Sequence, residues 1–135
     1  MYYQPAAQSI PDSTSTILDF STADIAHANI TTGASWKFTA TTAGVYQVSA
    51  GGSLIFPFPT TLGTGYLALA KNGVELQRLA RLQGVIATNC LTGATLIQLA
   101  VGDFIDIRLF QNSGSARTLE GGRQNWFSIH QLPPA

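Results

Sequence analysis

Charge is scarce in this sequence. Charged residues make up 10% of its 135 residues, seven basic against seven acidic, where soluble proteins usually carry roughly 25%. Lys and Arg never cluster, so the electrostatic footprint of a phosphate-backbone binder is missing and nucleic acid is not an expected partner. Cysteine is limited to Cys90, which excludes a disulfide within the chain. With apolar Leu91 beside it, this thiol reads as packed inside. No stretch supplies the roughly 20 apolar residues of a membrane helix, and residues 1–5 carry no basic segment leading into an apolar one. Neither a membrane span nor an export signal is therefore expected. Internal repeats are absent as well.

What remains is a chain that is 45% hydrophobic, with Thr and Ser filling much of the rest. That is enough to build one core in a single domain spanning 1–135. A folded monomer of this mass exposes about 6,800 Å². So few charges leave wide apolar or hydroxyl-rich areas on that surface, and self-association is the simplest way to cover them.

The apolar residues recur with the period of strands. Residues 44–56 place Tyr46, Val48, Ala50, Leu54 and Phe56 on one face and Gln47, Ser49 and Ser53 on the other, the pattern of a half-buried strand. Residues 104–110 repeat it, with Ile105, Ile107 and Leu109 opposite Asp106 and Arg108. Residues 66–71 and 74–82 flank Asn72-Gly73, the dipeptide suited to a hairpin turn with positive φ at both central positions. A helix over residues 75–81 is the competing reading there, because that stretch is made of good helix formers. Residues 15–20, 34–40, 94–99 and 125–132 bring the expected strands to at least eight. The turn-rich stretches 57–65, 83–89 and 112–124 are expected to gather at the ends of a two-sheet sandwich or jelly roll.

An ordered set of short segments carries a resemblance. Trp36-Lys37-Phe38, Ala43-Gly44-Val45-Tyr46, Leu69-Ala70-Lys71-Asn72-Gly73, Leu91-Thr92-Gly93-Ala94, Leu99-Ala100-Val101-Gly102-Asp103 and Trp126-Phe127-Ser128-Ile129 resemble the jelly-roll superfamily of complement globular heads and tumour necrosis factor. The resemblance implies an all-β, antiparallel two-sheet jelly-roll sandwich that forms a trimer. Without a collagen-like stalk, signal peptide or disulfide, the secreted roles of that superfamily do not follow. The chain instead resembles the bacteriophage virion version of the module. That implies a trimeric capsid decoration or cement protein on the capsid exterior, with the major capsid protein as partner. The alternative is the receptor-binding head of a tail fibre recognising a cell-surface glycan or protein.

Under that resemblance, Tyr46, Trp126, Phe127 and His130 are candidate trimer-interface residues, with the filling of the monomer's own core as the competing reading for two of the three aromatics. Residues 1–12 are a candidate N-terminal arm over a capsid neighbour, with Tyr2 and Tyr3 as anchors and Pro5 keeping it extended. Phe58, Arg117 and Arg123 are candidate loop contacts. Catalytic chemistry is not expected: no nucleophile elbow, P-loop or dinucleotide fingerprint occurs. His27 and His130 have no metal-ligand spacing, and Asp103, Asp106 and Glu120 form no dense run of oxygen ligands. No cofactor and no metal are expected.

Overall fold

A computed structural model describes residues 1–26, 28–57 and 59–134. Two antiparallel sheets enclose the core. The first is built around β7 (Gly44–Ile55). β10 (Asn89–Leu99) runs along one edge of β7 for its whole length, while β13 (Gly122–Gln131) and β12 (Arg117–Leu119) share the other edge. β1 (Tyr2–Gln4) pairs with β13, β4 (Thr22–Ala23) with β1, and β2 (Gln8–Ile10) with β12. In the second sheet β11 (Phe104–Gln111) lies between β8 (Thr60–Lys71) on one side and β6 (Lys37–Thr39) and β3 (Thr16–Ile17) on the other. β9 (Val74–Ile86) and β5 (Ile30–Thr31) form its two edges. Among the described residues no helix is long and apolar enough to cross a membrane.

The alternation read from the sequence sets the core. Tyr46, Val48, Ala50 and Leu54 of β7 and Ile105, Ile107 and Leu109 of β11 all point inward and are buried. Between the sheets Trp36 is wedged edge-on against Phe20 and Phe127, with ring centroids at 5.2 and 4.7 Å, and its indole N–H donates to the Phe20 carbonyl at 3.1 Å. A buried indole needs such a partner, and here the backbone supplies it.

The Asn72-Gly73 hairpin forms as expected, with φ of 51° and 84° at the two turn residues. The helical reading of residues 75–81 is overturned: they lie in β9, laddered to β8 from Thr60 to Lys71. A complete partner strand satisfies the backbone better than weak local propensity can. Three further readings are corrected. Residues 57–65 and 83–89 are mostly strand, with loop left only in short pieces such as Ala87 and Thr88 between β9 and β10, whereas 112–124 keeps its loop at 112–116 and 120–121 and is strand only at 117–119 and 122–124. These segments still share one end of the sandwich: Asn112 Oδ1 accepts from the Thr64 amide at 2.7 Å, and Thr88 Oγ1 from the Phe56 amide at 3.3 Å. Residues 15–20 form only the two-residue β3, although Leu18 and Phe20 are fully buried. Cys90 is exposed, because alternation along β10 gives the core position to Leu91.

β9 and β10 are the outer strands of the two sheets on the same flank, and they come very close. A Cβ at Gly93 would sit 2.5 Å from the Leu79 carbonyl oxygen. No side chain fits there, so glycine is what lets the two sheets close on this flank.

Candidate functional site

The two outward faces of the sandwich differ in chemistry. On the second sheet, charges are plentiful and already partnered. Arg108 Nε donates to Asp106 Oδ1 at 2.7 Å and Nη2 donates to Oδ2 at 3.2 Å, with Asp106 only 2% exposed. The carboxylate holds the guanidinium pKa above its ordinary value. Arg78 lies 3.8 Å over the Tyr66 ring and pairs with Glu75 at 3.0 Å, while Tyr66 stacks on Phe110 at 5.0 Å. Ala68 and Ala70 beneath these side chains are fully covered. The centre of this face is covered by its own side chains, and among the described residues exposed large apolar side chains appear only along its β9 edge, at Val74, Leu76 and Val85.

The outer face of the first sheet is of the opposite kind. Neither β7 nor β10 contains an Asp, Glu, Lys or Arg. Strand register lays the outward residues in rows: Thr92, Gly51, Trp126 and Tyr3; then Ala94, Ser49 and Ser128; then Leu96, Gln47 and His130. Leu96 is 59% exposed, and Val45 on the same face is also exposed. Trp126 lies directly over Gly51, where a Cβ would come within 2.6 Å of its Nε1. Charges return only at the margin. There Arg123 makes a two-pronged pair with Asp24 (2.7 and 2.9 Å) and sits 4.4 Å over the Tyr3 ring. The Arg123 hydrogen bond lowers the Asp24 pKa below the usual carboxylate range.

The expected interface residues divide by strand parity. Trp126 and His130 lie on this outer face. Tyr46 and Phe127 do not: both are buried in the monomer's own core, Tyr46 against Phe38 with its hydroxyl donating to the Thr42 carbonyl at 2.6 Å. The expected arm is likewise corrected. Tyr2 is buried beneath β1, which pairs with β13 and β4 of the same molecule, and Tyr3 is the outward partner of Trp126. Pro5 is exposed, but its carbonyl lies against Gly121, where a Cβ would meet it at 2.6 Å. Residues 1–12 are thus part of the sandwich and not a free extension. Of the loop candidates, Arg117 donates to Ser113 Oγ at 2.7 Å, Arg123 is engaged by Asp24, and Phe58, like His27, lies outside the described residues.

Sequence reasoning passed over Leu96 and Ser128 and read Gln47 and Ser49 only as the polar face of a strand. For Leu96 the signal was an eleven-residue strand with neither charge nor proline, an unusual composition for a sheet edge, which proteins normally protect with one or the other. Among the described residues no group of three or more His, Cys, Asp or Glu is placed to hold a metal ion. Cys90 also faces outward; partial burial first, and the nearby Glu120 carboxylate second, push its thiol pKa up, which lowers its reactivity.

No protein-family model and no curated protein matches the sequence. Solved structures do match the fold. The chain superposes on a structure of Eiger TNF from S. frugiperda with a TM-score of 0.70 at 14% identity, covering 99% of this chain and 91% of that one. Murine APRIL at pH 8.0 matches with a TM-score of 0.70 and 14% identity over 97% and 95% of the two chains. The globular domain of a zebrafish complement 1qA protein gives 0.56 and 15% over 96% and 99%. The fold is a tumour necrosis factor-like jelly roll. At such identities the likeness concerns architecture, and function has to be argued from the surface.

Proposed function

We propose that the chain is a non-enzymatic structural protein of a virion: a homotrimer that decorates a bacteriophage capsid from outside and stabilises it by bridging subunits of the major capsid protein. The observation that carries the reading is the uncharged outer face of β7, β10 and β13, ending in the edge strand β10, which holds neither charge nor proline. A long edge without charge or proline invites another chain, and sister copies are the simplest cover for it. The trimeric habit of tumour necrosis factor-like folds supports the same assembly. Burial of neutral surface suits permanent assembly rather than turnover. Each specific contact of about 1,600 Å² would add to the cohesion of the shell, and binding to the assembled shell alone stabilises it by mass action.

A second reading, a receptor-binding head, draws on the end of the sandwich where Ile55, Pro57, Pro59 and Val85 are exposed beside Arg117. Loops on a rigid sandwich suit recognition.

Mixing the purified protein with undecorated capsids and with host cells separates the two. A decoration protein adds to capsids and raises their disruption temperature. Attachment to cells with indifference to capsids would reverse the ranking.

A further inference from the structure

We infer that the self-association proposed above is gated by acid through His130, an inference that rests on the trimer reading and deepens it. Three observations place the switch. His130 is exposed on the uncharged face, in the same row as Gln47 and Leu96. The outward positions of β7, β10 and β13 in those rows offer no carboxylate to receive a proton's charge. Imidazole is the side chain that gains charge between about pH 8 and pH 5.

The surroundings of His130 are neutral or already engaged. From β7 come Gln47, its register partner, and the Tyr46 phenol, which is bonded to Thr42. Asn29, Thr41 and Thr42 line a crevice of about 110 Å³ beside it. Toward β1 and β4 stand the N-terminal ammonium, donating to the Ile25 carbonyl at 3.5 Å, and Asp24, whose carboxylate is held by Arg123. An imidazolium covered by a sister copy therefore brings a charge out of water with no free counter-charge from these neighbours. Threefold symmetry repeats that cost three times.

The test is the mass in solution at micromolar concentration, by light scattering at about pH 8 and about pH 5.5, with far-UV circular dichroism recorded alongside. The wild type is expected at three times 14.3 kDa in the neutral sample and to lose that mass in acid while keeping its β spectrum. His130→Gln, which keeps polarity and cannot take the charge, is expected to remain trimeric in both. A wild type that stays trimeric in acid, a His130→Gln variant that dissociates with it, or loss of the β spectrum overturns the switch. A monomer at the higher pH overturns the trimer reading itself, so the two failures are distinguishable.

Discussion

Asn72 donates its side-chain amide to the Asp103 carboxylate at 2.9 Å, tying the β8–β9 hairpin turn to the turn before β11. Asp103 also accepts from the Ala100 amide at 2.9 Å and pairs with Lys71 at 3.2 Å, while Asn72 Oδ1 accepts from the Phe104 amide at 3.0 Å. Two short motifs about thirty residues apart in sequence thus form one clamp at an end of the sandwich.

The clamp predicts a specific acid dependence. Hydrogen bonds from Asn72, Ala100 and Lys71 hold the Asp103 pKa down to about 2, against 3.8 for an ordinary Asp. A carboxylate whose pKa is depressed by folding stabilises the fold fully above the unfolded value and loses that contribution as pH falls through the folded one. The stability gap between wild type and Asp103→Asn should therefore be constant above about pH 4 and shrink between about pH 4 and pH 2. Urea unfolding midpoints across that range measure it, and a gap unchanged down to the lower limit would refute the clamp. Asn72→Ala, which puts a Cβ without a polar group into a left-handed turn position, should cost about 1–2 kcal/mol at neutral pH.

The flank where β9 meets β10 gives a second prediction. At Gly93 the obstacle to a side chain is the Leu79 backbone oxygen, which cannot rotate away as a flexible side chain would. Gly93→Ala should destabilise the protein by about 1–3 kcal/mol, the usual cost of overpacking. Gly73→Ala meets no atom within 4 Å and should cost only the strain of its positive φ. Thermal unfolding of the two variants compares them; equal losses would mean that the sheets do not close on this flank as described.

Much of the fold was legible because period-two patterning and Asn72-Gly73 are local signals. The rows of β7 and β11 follow from alternation alone. What alternation leaves open is which of two apolar faces turns inward. Trp126 and Phe127 are adjacent aromatics on opposite sides of one strand, and only the partner sheet decides that Phe127 meets Trp36. Tyr2 was misread for a related reason: a three-residue strand carries too little pattern to reveal a partner more than 120 residues away. The stretches 57–65 and 83–89 read as loops because Pro and Gly punctuate them, yet ladder pairing between β8 and β9 overrides that composition.

That adjacency makes a paired test. Phe127→Ala empties the centre of the Phe20–Trp36–Phe127 cluster and should cost about 3–5 kcal/mol, a large share of the stability of a small domain. Trp126→Ala removes an outward ring and should change monomer stability far less while weakening self-association. Denaturant melts and sedimentation of both variants would separate core from surface. A Trp126 variant as unstable as the Phe127 one would contradict the assignment of faces.

The sharpest test of the outer face adds the charge it lacks. Leu96 is exposed on β10 among Gln47, Ala94 and Gln98, with no Lys or Arg in its rows and His130 two strands away in its own row. Leu96→Glu leaves the monomer core untouched, and substitutions at exposed positions usually stay within about 0.5 kcal/mol. In an assembled trimer at about pH 8, however, three carboxylates would be buried with no Lys or Arg to pair with, a penalty of several kcal/mol for each ion. The variant should therefore melt as a monomer with unchanged β-sheet content and sediment at one third of the wild-type mass. A Leu96→Gln control, uncharged and of similar length, should retain the trimer. If Leu96→Glu assembles as well as wild type, this face does not join the copies, and the sparse charge of the chain needs another explanation.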